Sequence, residues 1–228
     1  MNNPVVISLG GSLIVPDGVD SAFLSGFKKL IEEEVAKGKS FVIVTGGGKI
    51  CRRYQAAGKE IAGLSQVAID WLGMSVLRLN AEFVRILFGP LAHDSVVIHP
   101  NELKSVTKPI VLCGAEAPGH STDFDAVEMA AQVEAKRIVN LSNIDFVYNK
   151  DPKRFADAVK IARISWSDFR KLLPEKWEPG LNSPLDPIAA ARAQELGLEV
   201  AIMNGKPLTN LANYLAGQTF VGTVITGK

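Results

Sequence analysis

The sequence predicts an α/β fold in which helices sandwich a mainly parallel sheet. Two observations predict it. Apolar bursts recur at residues 5–9, 41–44, 96–98, 110–112, 138–141 and 200–203, and each is a continuous Val/Ile/Leu-type run instead of a strict alternation. Such runs mark strands covered on both faces, as in a parallel sheet. Helical periodicity fills most of the gaps between them, and strand–helix alternation of this kind builds layered α/β domains.

The first burst, 5–9, stops at Gly10-Gly11-Ser12, and the second, 41–44, stops at Gly46-Gly47-Gly48-Lys49. A helical pattern follows each. A strand that ends in glycines at a helix entrance gathers backbone N–H groups at the positive end of the helix dipole. Without Cβ atoms, such glycines let an anion come close to the main chain. Two such turns early in the chain suggest two phosphates, or one polyphosphate, held across one edge of a sheet.

Residues 19–37 are amphipathic, with Phe23, Phe27, Leu30, Ile31 and Val35 on one stripe and Gly38 at the C-cap position. Residues 50–62 read as a helix carrying Arg52 and Arg53. A long helix follows over 65–88, where Val67, Trp71, Met74, Leu77, Ala81, Val84 and Phe88 step by threes and fours. That stripe reads as packing surface, either core or subunit interface, with Asp70 and Arg78 off its centre. Gly89-Pro90 stops the helix. Residues 114–123 form a loop by composition, leading into a helix over 125–135 with Ser121, Thr122 or Asp123 as N-cap.

A strand over 137–142 runs into Asn143-Ile-Asp145-Phe-Val-Tyr148-Asn-Lys-Asp151-Pro152. In open α/β sheets, ligands bind at such C-terminal strand ends. Residues 165–173 form a short helix. Asp186-Pro187 opens another, with Asp at the N-cap and Pro at the first helical position, running to Leu196-Gly197. A strand over 199–204, a helix over 208–216 and a short final strand over 219–226, in a hairpin or on a sheet edge, complete the chain.

The 228 residues form one large domain or two small lobes, with any boundary near residue 120. Lys and Arg total 25 against 24 acids, a net charge of +1. That balance argues against nucleic-acid binding by bulk charge and against a basic membrane-surface protein. Two cysteines and three histidines without a Cys-x-x-Cys make neither a disulfide scaffold nor a metal cluster. No apolar run approaches the roughly 20 residues of a membrane span. The N-terminus enters a strand without a basic leader, so a cytoplasmic location is the default expectation.

There is no Gly-x-x-x-x-Gly-Lys-Ser/Thr, which excludes a P-loop enzyme, and no Gly-x-Gly-x-x-Gly after the first strand. Taken together, the Gly-Gly-Ser and Gly-Gly-Gly-Lys turns, Asp70-x-x-Gly73-Met74, Pro118-Gly-His-Ser-Thr-Asp123, Asn143-x-Asp145-x-Val-Tyr148-x-x-Asp151-Pro152, Asp186-Pro-x-Ala-Ala and the terminal Gly222-Thr223 resemble the amino acid kinase family. Within it they are most similar to the archaeal-type uridylate kinases, nearly end to end.

The resemblance implies a three-layer αβα sandwich that uses ATP and Mg²⁺ to phosphorylate a nucleoside monophosphate, UMP above others. Residues 1–120 would hold the acceptor and 121–228 the ATP. Gly10, Gly11 and Ser12 would meet the transferring phosphoryl group. Gly46, Gly47 and Gly48 would cradle the UMP phosphate and Arg52 would neutralise it. Asp70 would contact the nucleoside, and Ser121, Thr122 and Asp123 would stand at the reaction centre. Asn143, Asp145, Tyr148, Asp151 and Pro152 would line the adenine and ribose site. A homo-oligomer, commonly a hexamer of dimers with the long helix at the dimer contact, is implied too.

Each residue also has a plainer reading. Asp123 is equally an N-cap, Arg52 a solvated helix face, Asp70 a surface carboxylate, and Tyr148 a packed aromatic. His120 reads as a loop hydrogen-bonder. The chain departs from the family in four places: Ser8 stands where many members carry Lys, Phe124 and Asp125 follow Asp123, Leu77 replaces a Thr, and Phe146 replaces a Gly. Another cation must then supply the lysine's charge, and Lys49 is the candidate, with an exposed Lys as its plainer reading. The alternatives on the same fold are a non-catalytic nucleotide- or oxyanion-binding protein, and a kinase for another small phosphate or carboxylate acceptor.

Overall fold

The computed structural model describes residues 4–119, 121–174 and 183–227. In chain order these form β1 (Val5–Leu9), α1 (Gly11–Ile14), α2 (Ser21–Ala36), β2 (Phe41–Thr45), α3 (Gly48–Ala62), α4 (Gln66–Phe88), β3 (Ile110–Cys113), α5 (Thr122–Gln132) and β4 (Arg137–Ser142). They continue with β5 (Val147–Tyr148), β6 (Lys160–Ile161), β7 (Arg163–Ile164), α6 (Trp166–Lys171), α7 (Pro187–Glu195), β8 (Glu199–Asn204), α8 (Leu208–Leu215) and β9 (Thr223–Ile225).

One seven-stranded sheet runs through the chain in the order β3-β2-β1-β4-β8-β9-β7. From β3 to β8 every pairing is parallel, as the continuous apolar runs require. Alternate residues of the same strands feed two cores. Val6, Val42, Val111, Ile138 and Val200 pack on one face with residues of α5, α6 and α7. Ile7, Ile43, Leu112, Val139 and Ala201 pack on the other with residues of α2, α4 and α8. This period of two through a sheet covered on both sides makes three layers, helix–sheet–helix.

The caps fall where the chemistry of the sequence puts them. Asp20, Ser65, Ser121, Ser165 and Asp186 each accept a backbone N–H at the start of α2, α4, α5, α6 and α7. Gly38, just past α2, has φ +90, a left-handed conformation that favours glycine.

Two strand expectations need correction. Residues 96–98 form no strand; Val97 makes a single parallel bridge to Cys113. The final strand is only Thr223–Ile225, and it is neither a hairpin partner nor the edge. It lies between β8, to which it is antiparallel, and β7, which is the edge. The long helix also divides its apolar residues: Met74, Ala81, Val84 and Phe88 are buried, whereas Val67, Trp71, Leu79 and Ile86 are exposed.

Candidate active site

The strand order reverses at β1. The chain steps outward through β2 and β3, then returns to place β4 on the other side of β1. Such a switch point, at the carboxyl ends of the strands, is where open α/β sheets bind ligands. The loops after β1, β2 and β4 all leave that edge, and Gly10 and Gly46 sit in the first two.

These two glycine turns are side by side. The Gly10 N–H donates to Leu141 O at 2.9 Å, and the Gly46 N–H to Leu9 O at 2.8 Å, so each turn is tied to the neighbouring strand. A Cβ on Gly11 would stand 2.2 Å from Gly48 N, and one on Gly46 would stand 2.6 Å from Gly11 N. The loops therefore touch backbone to backbone. The bare glycines thus have a packing role beside the expected approach of an anion. At Gly11, Gly46 and Gly48 the absent side chain is what allows loop to pack on loop. A Cβ on Gly47 would meet Cys51 Cβ at 2.6 Å and Leu77 Cδ2 at 3.5 Å, inside the packing of the loop on α3 and α4.

Asp123 bridges β1 and β4, the strands on either side of the switch point. Ser121 caps α5, so Asp123 in its first turn is not the cap. Its Oδ1 accepts from Ser8 Oγ at 3.4 Å and from Asn140 Nδ2 at 3.1 Å, and its Oδ2 accepts from Asp186 N at 3.2 Å. The carboxylate thus sits among β1, β4 and the start of α7, with neutral donors only. Burial, aided by the Asp186 charge and opposed by these hydrogen bonds, raises its pKa to about 6. Asp186 is 3 % exposed; its Oδ1 caps α7, while its Oδ2 is buried with no hydrogen-bond partner. Next along α5, burial and then the charges of Glu116 and Asp123 raise Asp125 to about 8.

Ser8 and Asn140 are polar residues inside apolar strands, and that is the signal that marks them. Two more buried polar side chains fix the second glycine turn: Asn80 Nδ2 donates to Gly46 O at 2.8 Å, and Thr45 Oγ1 donates to Leu77 O at 3.1 Å. Asn80 sits among apolar neighbours on the long helix, where the stripe hides it.

The predicted acceptor residues are more dispersed. Lys49 and Arg53 both reach Asp17, at 3.3 and 3.2 Å, on the exposed side of α3. Arg52 is exposed on the first turns of α3, near enough to lower the Cys51 pKa against the larger raising effect of burial. Asp70 is half-buried and accepts from Gln66 Nε2 at 3.0 Å. Thr122 opens α5 beside its cap, Ser121. His120 lies outside the described residues.

The predicted nucleotide residues follow β4. Asp145 Oδ1 accepts from Asn204 Nδ2 at 2.9 Å, joining the loops after β4 and β8. Tyr148 pairs with Lys160 in the small β5–β6 ladder. Asp151 holds its own turn by accepting from Lys153 N at 2.9 Å, and Asn143 and Pro152 are exposed. Lys206, past the end of β8, pairs with Asp20 and is a cation on this edge that the motif reading passed over.

Similarity to known proteins runs the length of the chain. It is 33% identical over 224 residues to a uridylate kinase of Archaeoglobus fulgidus, spanning 97% of this chain and 99% of that one. It is 30% identical over 226 residues to a uridylate kinase of Hyperthermus butylicus, with 98% of each chain covered. The crystal structure of the Archaeoglobus fulgidus uridylate kinase superposes with a TM-score of 0.84 over 98% of this chain and all of the other, at 32% identity. The fold of a UMP kinase from Ureaplasma parvum matches as well, with a TM-score of 0.79 at 20% identity. The model of the Amino acid kinase family matches residues 3–204, a span that takes in both glycine turns, Asp123 and Asp186. On that match and these relatives, the chain belongs to the amino acid kinase family.

Proposed function

We infer that the protein catalyses ATP-dependent phosphoryl transfer to a nucleoside monophosphate, converting UMP and ATP to UDP and ADP. The observation that carries this reading is Asp123, held by Ser8 of β1 and Asn140 of β4 at the switch point whose two glycine turns touch. Full-length similarity to uridylate kinases supports it.

In this reading an oxygen of the UMP phosphate attacks the γ-phosphorus of ATP. The bond from that phosphorus to the β–γ bridging oxygen breaks, and its electron pair leaves with ADP. No proton need move, so the protein's work is alignment and charge stabilisation. Gly11 and Ser12, at the α1 entrance, present N–H groups to the moving phosphoryl group, while Gly10, its own N–H given to Leu141 O, holds the turn against β4. Gly46, Gly47 and Gly48 meet the acceptor phosphate at the α3 entrance, with Arg52 and, at longer range, Lys49 supplying positive charge. Asp70, Ser121 and Thr122 contact the acceptor, and Asn143, Asp145, Tyr148, Asp151 and Pro152 border the ATP. Residues up to about 120 thus serve mainly the acceptor and those from about 121 mainly the donor, with Ser121 and Thr122 at the boundary, on one continuous sheet.

Mg²⁺ fits the donor set present. Asp123 carries no cationic partner among its described contacts, and Asp186 Oδ2 is a buried acceptor without a donor. These two carboxylates would hold the ion or its waters, and the ion would neutralise charge on the ATP phosphates. Asp123 would act in its ionised form, supported by Ser8 and Asn140.

The exposed apolar residues of α4, with an apolar cavity of about 350 Å³ beside Tyr54, Leu79 and Phe83, support a homo-oligomer joined through the long helix. Among the described residues no helix is long and apolar enough to cross a membrane.

The test is ADP release with UMP, CMP, carbamate, acetylglutamate and isopentenyl phosphate as acceptors. UMP should give the highest kcat/KM. Nucleotide binding without turnover of any acceptor would replace this reading with a non-catalytic binding protein.

A further inference from the structure

Arg78 stands between two loops that the proposed function gives to the acceptor. Its helix neighbours grip the first: Leu77 packs where a Gly47 side chain would begin, and Asn80 holds the Gly46 carbonyl. Arg78 itself grips the second. Its Cγ lies 3.3 Å from the position of a Cβ on Gly114, and its Nη2 donates to Ala115 O at 3.3 Å. The side chain is half-buried, and its Nε is fully buried with no hydrogen-bond partner.

The charge is also uncompensated. No ion pair among the described residues involves Arg78, and Glu116, the acid beside Ala115, is taken by His99 at 3.0 Å. The other cations of this rim are engaged or outward: Lys49 and Arg53 share Asp17, and Arg52 is exposed. A half-buried guanidinium with no carboxylate partner among the described residues can take an anion through its remaining donors, because its fork matches the oxygens of a phosphate.

We propose that Arg78 binds the phosphate of the acceptor and is the main determinant for a phosphorylated over an unphosphorylated nucleoside, an assignment that rests on the acceptor reading of the two loops. The competing role is a prop that only supports Ala115.

The experiment is calorimetric titration of wild type and Arg78→Gln with UMP, uridine, inorganic phosphate and ATP. Glutamine keeps an amide donor for Ala115 O, and an unchanged melting temperature checks the fold. UMP affinity should fall about tenfold or more in the variant, as expected for a lost hydrogen bond to a charged group. Uridine and ATP should change less than about twofold, a difference too small to count as a lost contact. Unchanged UMP affinity would overturn the assignment while leaving the uridylate kinase reading intact, and an equal loss for uridine would make Arg78 a prop. Failure of wild type to bind UMP would sink the acceptor reading instead. Inorganic phosphate then decides Arg78 alone: binding that weakens in Arg78→Gln supports the anion site, and no binding or no weakening overturns it.

Discussion

The Ser8 hydroxyl donates to the Asp123 carboxylate across 3.4 Å, linking the end region of β1 to the first turn of α5. The donor here is a neutral hydroxyl, not a cation. With Asn140 as the second donor to the same oxygen, Asp123 is oriented firmly but keeps its charge uncancelled. An oriented, half-buried carboxylate with neutral donors only, in the proposed phosphoryl-transfer site, is suited to attract a cation.

Asp123→Asn should lower kcat about 100-fold, the scale of losing one preorganised electrostatic group. Stability should hold, because Ser121 and not Asp123 caps α5. Steady-state kinetics beside a melting curve checks this. A large drop in melting temperature with kcat preserved would make Asp123 a structural residue.

The pH dependence of stability follows from two raised carboxylates. Asp123 moves from an ordinary 3.8 to about 6, and Asp125 from 3.8 to about 8. The folded state holds these protons more tightly than the unfolded chain, so their contribution is present at acid pH and is lost as pH rises through about 6 and about 8. The paired acids Glu34 and Glu82 are lowered, by Lys37 and Lys39 against an opposing burial effect in the first and by Arg85 in the second; they titrate below this window and do not offset it. The melting temperature should therefore be higher at pH 5 than at pH 8. Asp125→Asn should flatten the upper part of the profile and Asp123→Asn the lower part. A rise in melting temperature toward pH 8 would contradict the burial argument.

The same ionisation should appear in turnover. If Asp123 acts as the anion, kcat should climb between pH 5 and pH 7 with a midpoint near the value of about 6. The Asp123→Asn variant should lose that limb and keep a flat, low profile. A limb of unchanged midpoint in the variant would assign the titration to another group.

Gly11→Ala should cost more than an ordinary glycine substitution. The new methyl would lie 2.2 Å from Gly48 N, and both partners are backbone, so neither can rotate away. A loss of about 3 kcal/mol is expected from overpacking of this kind. Denaturant unfolding measures it, and a change under about 0.5 kcal/mol, as at a plain surface site, would show that the loops can separate freely.

Asn80→Ala should strand the Gly46 carbonyl that its amide now satisfies at 2.8 Å. The expected loss is about 1–3 kcal/mol. A rise in KM for the acceptor should exceed that for ATP, because the turn it steadies is the one proposed to hold the acceptor phosphate. Equal effects on both substrates would argue that Asn80 serves the core at large.

Much of this architecture is legible in the amino acids. The runs at 5–9, 137–142 and 199–204 become β1, β4 and β8 with the same bounds, because mostly apolar runs that stop at glycine or asparagine leave few alternatives. Asp186-Pro187 opens α7 as its chemistry requires. Residues 96–98 misled because an apolar triplet can fill a core from a loop, with one bridge in place of a ladder.

The site was legible in part. Local motifs marked the glycine turns and Asp123, but not their contacts. That Gly11 touches Gly48, or that Asp123 takes its donors from β1 and β4, depends on strand order, and no pattern along the chain encodes it. Asn80 and Arg78 were hidden for the same reason: on a helix read as packing surface, only the partner loop shows what each side chain does.

The most direct measurement is phosphorus NMR of the purified protein with ATP, UMP and Mg²⁺. UDP and ADP should accumulate one for one while ATP and UMP decline together. ATP that persists unchanged alongside protein-bound UMP would contradict it.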